Sequence, residues 1–298
     1  MLLSSQEHGI VRQFNFKAKK RLGQHFLVDE HALRCILSAA ELSHEDIVVE
    51  VGPGLGVLTK ELAECAGKVI AVELDSKLVS ILRKKLSPFS NIKIIHADIL
   101  KIAPWQLLED VIAPSSVIAS EAKQSDIARG YKVVANLPYY ITSPVLRHFL
   151  EAPFKPSMMV VMVQSEVGEA IAAVPGKMSL LSVRTQFYSK PTIIARVPAE
   201  SFYPRPKVNS LILRLDVYSK PSIEISDVAA FFDIVSCGFS SPRKQLRNSL
   251  AQSLGMSSSQ VALLLRRAGI EVKRRAETLS LEEWKKLWEV FAPFRKCG

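Results

Sequence analysis

The stretch Ile47-Val48-Val49-Glu50-Val51-Gly52-Pro53-Gly54-Leu55-Gly56-Val57-Leu58 decides the reading of the fold. Its first five residues are mostly β-branched, a run suited to a buried strand and too short for a helix. Glycines follow at alternate positions, and Leu58, Leu62 and Ala63 then open a helix. Strand, glycine-rich turn and helix in that order begin a βαβ unit, and the turn lets the backbone pass close beneath a ligand. A dinucleotide fingerprint would need glycine at 52, 54 and 57, but position 57 is Val. The loop is Gly-rich without being of the NAD type.

The pattern recurs downstream. Lys68-Val69-Ile70-Ala71-Val72 is a second strand ending in Glu73, and an acid about 20 residues beyond the first glycine is suited to grip ribose hydroxyls. Ile92-Lys93-Ile94-Ile95 is a third strand, leading to Asp98. Each acid alone fits a cap or a surface charge. At successive strand ends beside a glycine loop, they describe a nucleoside pocket.

A fourth strand, Tyr131-Lys132-Val133-Val134-Ala135, breaks at Asn136-Leu137-Pro138-Tyr139. An amide oxygen, a carbonyl and a π face are presented together at a strand's carboxyl end. An exocyclic amine on a flat base can donate its two hydrogens to the Asn136 amide oxygen and the Leu137 carbonyl. Pro138 stiffens the turn, and Tyr139 is left to stack on the ring. Taken alone, the tetrapeptide also fits a Pro-terminated strand with a surface tyrosine.

Met158–Val163 reads as a fifth strand, 164–172 as a helix, 180–187 as a helix, 192–197 as a strand, and 211–215 as the strand that closes the sheet. Phe202, Pro204 and Pro206 lie in a stiffened loop before that last strand. Upstream, Asp29 precedes a helical pattern of Leu33, Ile36, Leu37 and Ala40. Beyond 216–226 the pattern turns helical: 228–239, 242–250, 259–268 and 281–291, the last with Ser280 and Glu283 placed for a capping box. The expected division is therefore an α/β domain over 1–218 and a helical domain over 219–298.

The 298 residues are 48% hydrophobic and 23% charged, the composition of a globular chain of one large or two modest domains. Cys35, Cys65, Cys237 and Cys297 are far apart, so neither a metal site nor a disulfide scaffold is expected, and a reducing, cytoplasmic setting fits. No apolar run reaches membrane-spanning length, and the first residues lack the pattern of a secretion signal. The net charge of +10 favours a polyanionic partner. Its distribution is uneven: twelve basic residues against five acidic ones follow Ser240, so the helical domain is expected to face phosphate. A second basic run, Arg12, Lys17, Lys19, Lys20 and Arg21, lies in an N-terminal arm over 11–28.

Leu22-Gly23-Gln24-His25-Phe26-Leu27, the segments at 50–59, 72–75, 96–98 and 136–139, and Ser201-Phe202-Tyr203-Pro204-Arg205-Pro206-Lys207-Val208-Asn209-Ser210 together resemble the ribosomal RNA adenine N6,N6-dimethyltransferases. These are class I S-adenosylmethionine-dependent enzymes (the KsgA/Dim group, related to Erm). The resemblance implies a Rossmann-like α/β sheet with a small helical domain that binds RNA, S-adenosylmethionine as cofactor, and small-subunit ribosomal RNA as partner to a monomer. It implies that Gln24, His25 and Leu27 line the cofactor cleft from the arm, and that Gly52 and Gly54 pass beneath the methionine part. Glu73 would hold the ribose and Asp98 the adenine amine, with Asn136 bordering the cofactor. Asn136, Leu137, Pro138 and Tyr139 would hold the target adenine, with Phe202 stacked on its other face. The family often carries Asn where this chain has His25, and residues of about 113–130 look like an inserted surface loop. Two rivals remain: an Erm-like enzyme acting on 23S ribosomal RNA, and an assembly or transcription factor that keeps the fold as a binding module.

Overall fold

The structure is a computed structural model that describes residues 24–112 and 130–292. The basic run at 12–21 and the expected insertion, up to residue 129, lie outside the described residues. Among the described residues there are nine strands: β1 (Phe26–Leu27), β2 (Ile47–Val51), β3 (Lys68–Glu73), β4 (Ile92–His96), β5 (Lys132–Asn136), β6 (Met158–Gln164), β7 (Ser189–Val197), β8 (Phe202–Tyr203) and β9 (Ser210–Val217). Seven form one sheet in the order β4-β3-β2-β5-β6-β9-β7. β4, β3, β2, β5 and β6 run parallel, and β9 is antiparallel to β6. Chain order reverses between β2 and β5, which opens a crevice beyond their carboxyl ends. Val48, Val49, Val133, Val134, Val160 and Val161 are fully buried, the mark of parallel strands covered on both faces.

The chain forms two compact units, one of residues up to 168 with 190–219 and one of 169–189 with 220 onward. In the first, helix Glu30–Ala40 is capped by Asp29, whose Oδ1 accepts from the amides of His31 and Ala32. Ile36 of that helix joins Leu62, Val160 and Ile212 in the core. Two sequence expectations change here. The strand read as closing the sheet, β9, lies inside it, and β7 takes the edge. The stretch read as a stiffened loop contains a short strand, β8, which pairs antiparallel with β1, Phe26 opposite Tyr203 and Leu27 opposite Phe202.

The second unit contains helices Leu180–Tyr188, Val228–Phe239, Leu246–Leu254, Ser258–Arg267 and Leu281–Phe291. A single division at 218/219 therefore misplaces 169–189. Phe187 stacks on Phe231 with ring centroids 5.5 Å apart, and Gln186 Nε2 donates to the carbonyls of Ile171 and Ala173, so this segment packs with the C-terminal helices. The helix expected at 242–250 runs instead over Leu246–Leu254 and ends at Gly255, φ +65°. Pro242 reads as a helix start, whereas residues 241–244 form a turn closed by Lys244 N on Ser241 O at 2.9 Å. The Ser280/Glu283 capping box forms, and Trp284 is fully buried. Arg274 pairs with Glu283 and Arg275 with Glu277, while Arg243 and Lys244 face solvent. Among the described residues no helix is long and apolar enough to cross a membrane.

Candidate functional site

A cavity of about 360 Å³ lies at the carboxyl ends of β2, β3, β4 and β5. Of the candidate residues, Gln24, His25, Leu27, Gly52, Gly54, Glu73, Asp98, Asn136, Leu137, Pro138 and Tyr139 all line it. Gly52 and Gly54 have φ of +68° and +60°. A Cβ on Gly52 would sit 3.3 Å from the Pro138 ring, and one on Gly54 would sit 3.1 Å from the Phe26 ring. The glycine loop therefore lies directly against both the N-terminal segment and the Asn-Leu-Pro-Tyr turn.

Glu73, at the end of β3, is 6% exposed. Its Oε2 accepts from Gly54 N at 3.2 Å and its Oε1 from Asp75 N at 2.8 Å. Burial nevertheless pushes its pKa above the ordinary carboxylate value, with those backbone bonds opposing the shift. The carboxylate thus braces the glycine loop as well as bordering the cavity. Gln24 Nε2 donates to Asp75 Oδ2 at 3.3 Å, and Asp98 Oδ1 accepts from Leu100 N at 3.1 Å.

On the other side of the cavity, Leu137 N donates to Met162 O at 3.1 Å and hangs the turn on β6. Asn136 Nδ2 donates to the carbonyl of His25 at 3.2 Å. A carbonyl only accepts, so the amide must present nitrogen to it, which leaves Oδ1 as the acceptor for a ligand. The Tyr139 hydroxyl is 2.8 Å from Ser210 Oγ, and the His25 ring stacks on Tyr139 with centroids 5.6 Å apart and planes at 25°. His25 Nδ1 lies 2.6 Å from the carbonyl of Pro204.

Phe202 does not line the cavity. It is 3% exposed and belongs to the core with Leu27 and Ile212, whereas its neighbour Tyr203 is 45% exposed. To meet a base in the cavity, the Phe202 ring would have to leave that packing.

Two ionisable lining residues, Glu50 and Tyr140, were not singled out from sequence. Glu50 is 2% exposed, and its Oε2 has no hydrogen-bond partner among the described residues. Burial pushes its pKa up to about 8, Thr59 offsets part of the shift, and the Glu73 charge adds to it. The available signal was a lone acid inside an otherwise apolar strand. Tyr140 borders the cavity although it is half exposed, and its phenol is pushed up by burial first and then by Asp98 and Glu73. Nothing in the sequence separated it from Tyr139.

The family described as Ribosomal RNA adenine dimethylase matches residues 15–292. The chain is 47% identical to the Ribosomal RNA small subunit methyltransferase A of Dehalococcoides mccartyi over 289 residues, covering 97% of this chain and 94% of the relative. It is 41% identical to the protein of the same name from Clostridium botulinum, covering 93% and 95%. Among solved structures, the 23S rRNA methyltransferase ErmE superposes with a TM-score of 0.66 at 28% identity, over 90% of this chain and 99% of that one. A dimethyladenosine transferase from Plasmodium falciparum shares the fold with a TM-score of 0.70 at 23% identity, over 90% and 98%. The family match spans both compact units, and this chain belongs to the ribosomal RNA adenine dimethylase family.

Proposed function

We propose that this chain transfers methyl groups from S-adenosylmethionine to N6 of adenine in small-subunit ribosomal RNA, twice on the same nitrogen. The observation that carries the reading is the Asn136 amide, turned by the His25 carbonyl so that Oδ1 is the acceptor, at the rim of a cavity floored by the glycine loop. The small-subunit substrate is supported by the names of relatives at 41–47% identity.

The residues suit the cofactor. Gly52 and Gly54, both at positive φ, bring bare backbone to the cavity wall. The buried, unpartnered Oε2 of Glu50 suits an ammonium group. Glu73 and Asp98 offer acceptors for ribose hydroxyls and an adenine amine. Bound there, S-adenosylmethionine would supply the methyl group from a sulfonium, whose sulfur leaves readily as a neutral thioether.

What the chain adds is positioning. The N6 lone pair of adenine is delocalised into the ring and is a weak nucleophile. Hydrogen bonds from the amine to Asn136 Oδ1 and the Leu137 carbonyl favour a pyramidal nitrogen and aim its lone pair. Tyr139 offers a face on which the base stacks after leaving the RNA, which offsets part of the unstacking cost. Exposed Arg243 and Lys244 of the helical unit suit the phosphate backbone, and a ribosomal substrate supports a cytoplasmic setting.

An Erm-like action on large-subunit RNA would use the same chemistry, and the likeness to ErmE keeps it as the second reading. The test offers unmethylated small and large subunits with labelled cofactor and maps the label. Dimethyladenine in the small subunit is expected. Label only in the large subunit overturns the substrate, and label in neither leaves a binding module.

A further inference from the structure

We propose that Ser210 and His25 are positioning residues for methyl transfer, fixing the Tyr139 ring from two sides and the Asn136 amide in its acceptor orientation. The proposal rests on the reading of Tyr139 as the platform for the target base.

Tyr139 follows β5 within a single 3-10 turn, Tyr139–Ile141, closed by Ile141 N on Pro138 O at 3.1 Å. Thr142 N also donates to the Tyr139 carbonyl, but backbone hydrogen bonds do not hold a ring's direction, so the ring needs anchors of its own. The first is Ser210, the fully buried first residue of β9, which sits opposite Gln164 at the carboxyl end of β6. Asn136 pairs with Met162 on the other edge of the same strand. The Tyr139 side chain therefore reaches across the end of β6, and its hydroxyl meets Ser210 Oγ at 2.8 Å. Ser210 is placed by the sheet ladder, so it is a fixed point for a ring that is not itself in the sheet.

The second anchor is His25, whose imidazole stacks on Tyr139. Its Nδ1, 2.6 Å from the Pro204 carbonyl, must carry a hydrogen because that oxygen only accepts. The strand pair β1–β8, the bond from Val28 N to Ser201 O at 2.9 Å, and the bond from Ser201 Oγ to Asp29 Oδ2 at 2.6 Å hold this segment in place. With the imidazole on one face, a base stacks on the opposite face of Tyr139. The backbone carbonyl of the same His25 sets the Asn136 amide. One segment thus governs both the stacking plane and the acceptor atom.

The experiment measures single-turnover methyl transfer to unmethylated small subunits at saturating cofactor and RNA, with cofactor affinity by calorimetry. Ser210→Ala and Tyr139→Phe remove the same hydrogen bond from opposite ends. Each is expected to slow transfer by roughly 3- to 10-fold, the scale of one hydrogen bond. The double variant should be no slower than the slower single, and cofactor affinity should be unchanged. Wild-type rates in both singles, or losses that multiply in the double, overturn the Ser210 assignment. Should Ser210→Ala fail to fold, Tyr139→Phe alone still decides, because it keeps the ring and deletes only the hydroxyl.

His25→Ala keeps the backbone carbonyl and removes the imidazole. It should slow transfer several-fold, and His25→Asn, which restores a donor, should recover part of the loss. A wild-type rate in His25→Ala overturns the His25 assignment. Tyr139→Ala separates this proposal from the reading beneath it. A loss of about 10²-fold or more keeps Tyr139 as the platform whatever Ser210 does, and a wild-type rate removes the platform itself.

Discussion

The two halves of the cavity that we assign to cofactor and to base are built in different ways. The cofactor half comes from neighbours in the chain: the glycine loop after β2, Glu73 at the end of β3, and Asp98 after β4, with Glu73 reaching back only 19 residues to Gly54 N. The base half is assembled from afar. Asn136 is set by a carbonyl 111 residues away, Tyr139 by a hydroxyl 71 residues away, and His25 by a carbonyl 179 residues away. The cofactor half is built mainly on the consecutive strands β2 to β4, although Phe26 and Pro138 pack against its glycines. The base half depends on the whole sheet and on a two-stranded clasp beside it.

That contrast is open to attack at four points. Phe202 is placed in the core beneath the base half, so Phe202→Ala should cost about 3–5 kcal/mol of folding stability in denaturant titrations. Unchanged stability with lost methylation would move Phe202 from the core to the base. Asn136→Ala should lower the single-turnover rate by about 10²–10³-fold while cofactor affinity stays within error. A near wild-type rate would mean that the acceptor geometry is not the source of acceleration.

Glu73→Ala should do the opposite, weakening cofactor binding by about 1.5–3 kcal/mol in calorimetry and lowering the rate at saturating cofactor much less. An equal loss in both would blur the two halves into one.

The smallest effect concerns Glu50. Its pKa in the folded, ligand-free chain is raised from the ordinary 4.5 to about 8. Between those values the folded state holds a proton that the unfolded state has released. Glu50 therefore contributes stability that is full below the lower value and lost as pH rises through the upper one. The melting temperature of ligand-free protein should fall across that window, and Glu50→Gln should flatten the fall. Identical profiles for the two proteins would show that Glu50 ionises normally.

The legibility of the sequence follows the same divide. Buried parallel strands read as apolar runs, so β2 to β6 were visible within a residue or so, and the glycines announced the turn beneath the ligand. β1 and β8 are two residues each, too short to carry any periodicity, so the clasp was invisible. β9 was recognised as a strand, but its place inside the sheet is fixed by antiparallel pairing with β6, which no local pattern encodes. Residues 169–189 read as an ordinary continuation, although Phe187 finds its partners at Phe231 and Phe232. The family resemblance assigned both His25 and Phe202 to the site, and Phe202 lies in the core instead. Their contacts, an aromatic face and a core respectively, required the three-dimensional arrangement.

The β1–β8 clasp also imposes an order in time. Its strands are separated by the synthesis of most of the sheet, and bringing such distant ends together carries a loop-closure cost that nearby contacts do not. During translation the glycine loop, Glu73 and Asp98 leave the ribosome before β5, although the sheet that holds them folds as a unit. The clasp must wait for Phe202 and Tyr203, and Tyr139 must wait for Ser210. The side of the cavity that we assign to adenine thus draws on the latest-made residues of the site, and it is the last part that can be complete.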